Sequence, residues 1–309
     1  TSLSNSGRGR IPSFEMEIKA HILESSERFS YDKAYLGSFK NFVPDYYRLG
    51  YQMVSYARKN YGNEFWNAAL DQTGRKTYQL APFYFYLKKK GLSSEKLYSN
   101  TMDFLGDHWK NNQTKRNPEK IIPFETRKNN DYVSYNFPHI LNDSSIIAVK
   151  SSLGEIDKFV RLFPNGKETT LFVPGYLYSG SFSADNNIIV WDEQQPDVRW
   201  RNKDYSVIRM YNFETNIVKT ISWKSQYSSP SYSASNNLIV VINNKSGKDD
   251  ELIFLSVEGS KRHVTESPGN FQLLQPSWVP GTKKVVLTGI DQQGWSIWTY
   301  DIDKLEWEK

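Results

Sequence analysis

The sequence of 309 residues contains no cysteine, and this absence excludes disulfide bonds and thiolate metal ligands. It also lacks any apolar run approaching the roughly 20 residues of a membrane-spanning helix, and no signal-peptide core follows Thr1. Histidine is rare, occurring only at His21, His108, His139 and His263. These four residues lie far apart in sequence, so we expect each to be structural or exposed, and we expect no metal or cofactor in this chain.

Charge is distributed unevenly along the chain. Residues 1–130 contain 21 Lys and Arg against 13 Asp and Glu, whereas residues 131–309 contain 18 against 21. The basic residues are scattered over predicted helix faces and a polar segment and do not form one run, so we expect no nucleic-acid binding. The length and this shift in composition together predict two domains.

Residues 1–110 are predicted to form an all-helical domain. Helical spacing, proline near helix starts and glycine after helix ends predict helices at Ile11–Glu24, Pro44–Tyr61, Glu64–Leu70, Pro82–Lys90 and Ser93–Trp109. No strand-like alternation occurs before residue 120. The many aromatic side chains are predicted to fill the helical core, with a sugar-stacking or peptide groove as the alternative. Residues 111–125, which are polar and contain Pro118, are predicted to be a linker.

Residues 126–309 contain a repeat. The stretches SFSADNNIIVW (181–191), SYSASNNLIVV (231–241) and SWVPGTKKVVL (277–287) resemble one another, and ILNDSSIIAV (140–149) is a weaker copy. The strands that begin at Ile146, Ile188, Leu238 and Val285 follow one another at intervals of 42 to 50 residues, which is typical of propeller blades. We predict an α + β multidomain protein, with a helical domain followed by a β-propeller of about four blades, and we expect these strands to be the innermost ones.

The propeller is expected to be incomplete. Propellers close with 4 to 8 blades, and the last unit reaches Trp307 with its final strand barely begun. The chain also begins without methionine, so we expect it to be a piece of a longer protein.

Two groups of residues in the propeller, neighbouring acids and tryptophans, have the chemistry of a site but also have simpler explanations. Neighbouring acids occur at 192/193, 249/250 and 301/303, and we expect them to be solvated turn acids, because paired catalytic carboxylates must face each other across a cleft. Tryptophans occur at Trp191, Trp200, Trp223, Trp295 and Trp298. We expect them to pack between blades, with a ligand platform as the alternative.

The repeat resembles the Pro-x-Trp-Ser-Pro-Asp-Gly signature of TolB-like, WD40-like propellers over about 170 residues, although most copies lack the proline and glycine. This resemblance implies a binding or scaffold module that holds a protein, peptide or glycan on a propeller face. It also implies a periplasmic or extracellular location in a bacterial envelope.

A second resemblance covers about 50 residues of the front part. Tyr47-Arg-Leu-Gly50 opens a predicted helix that Gly62 closes, and the segment from Val43 to Leu70 is similar to the one after the active site of gluzincin (aminopeptidase-type) zinc metallopeptidases. The resemblance implies that Tyr47 stabilises the oxyanion of a tetrahedral intermediate, a role that a neutral phenol can fill by donating a hydrogen bond.

The zinc ligands of that family are missing. The chain has no His-Glu-x-x-His, the motif that places two imidazoles on one helix face. The segment Thr1–Phe14 resembles the stretch that comes directly after the glutamate-ligand helix in such proteins, which implies ligands upstream of Thr1. We therefore expect a catalytically inactive binding module, with a fragment of a periplasmic or secreted zinc metallopeptidase as the alternative; zinc would then belong to the longer parent.

Overall fold

The computed structural model divides the chain into two compact units, Thr1–Ile122 and Pro123–Lys309. It describes residues 7–25, 27–113, 124, 132–244, 249–269 and 271–309. Most of the predicted linker, residues 114–123 and 125, lies outside the described residues, as does the predicted domain start at 126. Thr1–Ser6 also lie outside the described residues; they are part of the segment Thr1–Phe14 that was compared with gluzincin metallopeptidases.

The described part of the first unit is helical. It contains a 3-10 turn at Arg8–Arg10 and the helices α1 (Pro12–Glu24), α2 (Tyr31–Leu36), α3 (Tyr46–Tyr61), α4 (Phe65–Arg75), α5 (Pro82–Lys89) and α6 (Ser94–Gln113). This confirms the helical part of the predicted fold class. The sequence missed α2, which is too short to show helical periodicity. Helix α6 continues beyond the predicted end at Trp109, because the next helix breaker in the sequence is Pro118.

Side-chain caps and buried aromatic residues fix these helices. Asp45 begins α3, and its Oδ1 accepts a hydrogen bond from the backbone N–H of Tyr47 at 2.6 Å. Inside the unit, the Tyr86 hydroxyl donates to the backbone oxygen of Phe65 at 2.9 Å, so the ring is buried without an unsatisfied polar group. The buried core is Ile18, Phe29, Ala34, Leu49, Met53, Ala57, Phe65, Ala69, Tyr86, Leu87, Leu92, Leu97, Tyr98, Met102, Leu105 and Trp109.

The second unit contains four antiparallel sheets of four strands each. The first sheet is β1 (Val133–Ile140), β2 (Ile146–Ser152), β3 (Lys158–Leu162) and β4 (Glu168–Phe172); the second is β5 (Leu177–Asp185), β6 (Ile188–Pro196), β7 (Asp204–Asn212) and β8 (Ile217–Thr220). The third is β9 (Tyr227–Ser233), β10 (Leu238–Asn243), β11 (Glu251–Ser256) and β12 (Lys261–Glu266); the fourth is β13 (Gln272–Trp278), β14 (Lys284–Asp291), β15 (Gly294–Asp301) and β16 (Glu306–Glu308).

Strands follow sequence order within every sheet, as in a propeller of about four blades. The fold class is thus as predicted, but the assignment of the innermost strands is wrong. The strands that begin at Ile188 and Leu238 are the second strands of their sheets, and the serine-rich stretches before them form the first strands, β5 and β9. The first strands approach one another, so they are the innermost. Serine-rich composition lacks the β-branched pattern that marks a strand.

Three of the innermost strands carry a bulge at an equivalent place. Phe137, Ser229 and Gln275 each precede a proline and adopt φ values of 53°, 51° and 51°. The pairing register shifts at each of these points. Because proline cannot donate to a ladder, the bulge takes it out of the strand pairing.

Apolar clusters join successive sheets. Phe159 packs against Phe182 and Trp191 between the first two sheets, with ring centroids 4.9 and 5.2 Å apart. Equivalent clusters lie between the second and third sheets and between the third and fourth. The expected packing of tryptophans between blades is confirmed for the buried Trp191 and the partly buried Trp298. It is wrong for Trp200, Trp223 and Trp295, which are exposed: the first two lie in loops, and Trp295 lies outside the cluster shared with the third sheet.

Polar side chains also join the sheets. Backbone N–H groups of innermost strands and their turns donate to the preceding sheet: Ser229 N to Asp192 Oδ2 at 2.7 Å, Ala234 N to Asp185 Oδ2 at 2.7 Å, Leu273 N to Asp250 Oδ2 at 2.8 Å, and Tyr232 N to Ser183 Oγ at 3.1 Å. The prediction of solvated turn acids is therefore wrong for Asp192 and Asp250, which are 0% and 8% exposed, whereas Asp303 is exposed. Burial of a carboxylate is tolerated because it accepts hydrogen bonds.

We expect Asp192→Ala to lower the free energy of unfolding by about 2–3 kcal/mol, because the partly buried Ser229 N–H would lose its acceptor. Asp192→Asn keeps an acceptor oxygen and should cost about 1 kcal/mol. Urea unfolding of the two variants and the wild type measures both values. Equal stability of the alanine variant and the wild type would contradict this role.

Candidate binding sites

The four innermost strands enclose a cleft, the central cleft, with a volume of about 830 Å³. Its lining comes from all four sheets: Phe137, Pro138, His139, Ile140 and Asn142; Phe182, Ser183, Ala184, Asp185 and Asn186; Ser229, Pro230, Ser231, Tyr232, Ser233, Ala234 and Ser235; and Gln275, Pro276, Ser277, Trp278, Pro280 and Gly281. The cleft thus arises from the repeat, because each sheet contributes its first strand.

The accessible lining of the central cleft combines polar groups with apolar side chains. Ser235, Ser277 and Gln275 are exposed and can donate or accept hydrogen bonds. Phe137 and Ile140 are 46% and 77% exposed. Such a surface can hold uncharged polar groups beside apolar ones.

The titratable groups of the central cleft are already engaged. Asp185 accepts the hydrogen bond from Ala234. His139 Nε2 lies 2.9 Å from the backbone oxygen of Phe182, so this nitrogen carries the hydrogen and donates it. Burial lowers the pKa of His139, and the bond to Phe182 opposes this shift in part. His139 is therefore neutral at pH 7, and Asp185 is the one lining residue with a formal charge.

No metal centre is evident in the described ranges, where no three His, Asp or Glu side chains come together as ligands. Of the histidines, His21 stacks on Phe29 with centroids 4.3 Å apart, and His263 Nε2 lies 2.6 Å from the Tyr300 hydroxyl. These contacts agree with the structural roles expected for single histidines.

The helical unit contains a second cavity, the aromatic pocket, with a volume of about 590 Å³. It is lined by Arg8, Gly9, Phe14, Tyr31, Tyr35, Tyr46, Tyr47, Leu49, Gly50, Tyr51, Met53, Val54, Trp66, Phe83, Leu87, Ser94 and Leu97. Eight of these lining residues are aromatic, so the walls are apolar with hydroxyl groups at some ring edges. Arg8 is the one ionised side chain in this lining.

Tyr47, the residue singled out by the second resemblance, lines the aromatic pocket. It lies in the first turn of α3, is 63% exposed, and stacks on Tyr46 with centroids 4.5 Å apart. A hydrogen bond with Tyr47 raises the pKa of Tyr46. Either phenol can be the donor in this pair.

Two glycines shape the aromatic pocket. Gly9 lies flat against the Tyr51 ring, where an added Cβ would come within 2.4 Å of ring carbons. Gly50 lies within α3, and an added Cβ there would meet nothing within 4 Å. Glycine inside a helix costs about 1 kcal/mol relative to alanine, and here it leaves the pocket wider.

Sequence reasoning located neither cavity, although it kept an aromatic groove in the helical unit as the alternative to core packing and expected ligand binding on a propeller face. The aromatic residues of the helical unit were expected to fill its core, as Phe65 and Tyr86 do, but Tyr35, Tyr46 and Tyr47 are half exposed or more. Consecutive tyrosines on a helix cannot both face the same core, and this was the available signal. The central cleft depends on which strand is innermost, which the sequence assigned wrongly.

Comparisons with solved structures found similar folds. The putative TolB from Agrobacterium tumefaciens is 14% identical, with a TM-score of 0.42 over 60% of this chain and 66% of that one. The tricorn protease is 8% identical, with a TM-score of 0.40 over 56% and 22%. The propeller domain of the Trilobed protease from Pyrococcus furiosus is 14% identical, with a TM-score of 0.36 over 58% and 57%. The chain therefore spans less than two thirds of each of these structures.

No family model matches the chain, and no curated protein matches it at a significant level. Among the described residues, no helix is both long and apolar enough to cross a membrane.

The lowered pKa of His139 makes stability depend on pH. As the pH falls through about 6.5, histidine in the unfolded chain takes up a proton before the partly buried His139 does, so stability decreases until the folded pKa is passed. We expect His139→Gln to remove part of the loss between pH 7.5 and 5.5, measured by urea unfolding at both values. His108→Gln, at an exposed helical position, is the control. An unchanged pH dependence in the His139 variant would contradict this assignment.

Proposed function

We propose that this protein is a non-enzymatic binding module whose propeller holds an extended peptide segment, from a protein or free, in the central cleft. The observation that carries the proposal is the cleft itself, which has about 830 Å³ and receives lining from all four sheets. Its volume lies within the range of ligand sites, about 300–1,000 Å³.

The chemistry of the cleft favours a peptide over a charged ligand. Exposed Ser235, Ser277 and Gln275 can pair with backbone N–H and C=O groups. Phe137 and Ile140 offer contacts for apolar side chains. Asp185 accepts the Ala234 N–H and His139 is neutral at pH 7, so no positive charge in the lining selects an anionic ligand. A glycan remains an outcome of the test.

We expect peptides enriched from a random decapeptide display library to bind the wild type, and Ile140→Arg to weaken them at least about tenfold by filling the cleft and placing a charge in it. Binding is measured by isothermal titration calorimetry. The control is Ile156→Arg, because Ile156 is similarly exposed, at 73% against 77%, and does not line the cleft.

Enrichment of no peptide, or equal weakening by both arginine variants, would refute the peptide proposal. Binding of a glycan array with the same dependence on Ile140 would keep the cleft as the site and replace the ligand class.

A second candidate function is a fragment of a longer zinc metallopeptidase in which Tyr47 stabilises the oxyanion. It is supported by the exposure of Tyr47, which lines a pocket. The described residues do not fit a zinc site by themselves, so the ligands would lie outside this chain. On this candidate, as on the first, we propose an envelope location, which rests on the sequence resemblances.

For this second candidate, we expect a natural protein that includes sequence upstream of Thr1 to bind zinc and cleave peptides. Tyr47→Phe should lower kcat about 10²- to 10³-fold with little change in KM, because the phenol acts on charge that develops in the transition state. Tyr61→Phe, at the other end of α3, is the control. A metal-free protein without turnover would refute this candidate.

A further inference from the structure

The aromatic pocket of the helical unit is a site that the proposed propeller function does not use. It has about 590 Å³ and opens between α2, α3 and the turn at Arg8–Arg10, all within the first unit. Its floor is made by buried Leu49, Leu87 and Leu97. A cavity of this size with an apolar floor and aromatic walls is suited to a small apolar group.

The charge of the pocket restricts its ligand. Arg8 is the ionised side chain of the lining, and no carboxylate lines it. The acids Asp45 and Glu95 lie near this lining but are not part of it; Asp45 accepts a hydrogen bond from the Tyr47 backbone, and Glu95 is hydrogen-bonded to Ser93. A cationic ligand would meet Arg8 without a compensating carboxylate, whereas an anionic ligand would meet a complementary charge. The excess of Lys and Arg over the first 130 residues favours the same sign.

Hydrogen-bond donors lie in the same lining as this charge. The Tyr47 side chain lines the pocket and is 63% exposed, so its hydroxyl can donate to a ligand oxygen. Together with the guanidinium of Arg8, this donor suits a carboxylate better than a neutral carbonyl.

We propose that the aromatic pocket binds a monocarboxylate with an apolar body, with its carboxylate toward Arg8 and Tyr47 and its apolar part against the rings. Two sources share this chemistry: the C-terminal residue of a peptide, and a straight-chain carboxylic acid. The proposal is independent of the central cleft, because every lining residue belongs to the helical unit.

Calorimetric titration of the 309-residue protein tests the proposal with three probes. N-acetyl-phenylalanine represents a peptide C-terminus, its amide is the uncharged control, and octanoate represents a straight-chain acid. We expect at least one acid to bind, with N-acetyl-phenylalanine about tenfold tighter than its amide because the carboxylate makes charge-assisted bonds. The tighter-binding acid identifies the source.

Variants locate the site. Arg8→Gln should reduce acid binding to the level of the amide and leave the amide unchanged. Gly50→Leu should abolish binding of all three probes, because the new side chain fills the pocket. Gly74→Leu is the matched control and should leave binding unchanged. Both variants replace a helical glycine that has open space around it. Both leucine variants should have a Tm at or above that of the wild type, which shows that the loss of binding is not loss of folding.

The proposal would be overturned if neither acid bound, if N-acetyl-phenylalanine and its amide bound equally well, or if Gly50→Leu bound the acid as the wild type does. These variants do not change the central cleft, so a negative result would not contradict the peptide proposal for the propeller. Likewise, a negative result for Ile140→Arg would not contradict the proposal for the aromatic pocket.

Discussion

The propeller depends on how the free edges of the innermost strands β9 and β13 are satisfied. An edge strand has one row of backbone groups without a strand partner, and such groups are costly when they are buried. In this protein the preceding sheet supplies the acceptors, as Asp192 does for Ser229 and Asp250 does for Leu273. The same bonds set the position of one sheet relative to the next, so the central cleft follows from them.

This arrangement explains why the central cleft is nearly uncharged. The acids closest to it are used between sheets, as Asp185 is for Ala234, and His139 is neutral while it donates to Phe182. The accessible surface that remains is hydroxyl, amide and apolar. The aromatic pocket has a different lining. Its walls are aromatic rings, and its one charged side chain, Arg8, is a cation. The two cavities are therefore suited to different ligands.

Periodicity predicted the architecture because it depends on many residues at once. Five of the helices and the repeat of four sheets appear in the sequence as apolar spacing and turn residues. Individual side chains were harder to place. Asp192 looks like a solvated acid in the sequence, and Trp295 looks like a core residue, yet the first is buried and the second is exposed. Their environments depend on which sheet lies opposite, and local sequence does not contain that information.

The linear order of the sheets has a consequence for local opening. The middle two sheets each share apolar clusters with two neighbours, whereas the first and fourth each share one such cluster with a neighbouring sheet. In arrays whose units contact only their neighbours, stability is close to a sum of unit and interface contributions. Amide hydrogens of β10 and β11 should therefore exchange with solvent more slowly than those of β14 and β15, although each of the four strands pairs with a strand on both sides.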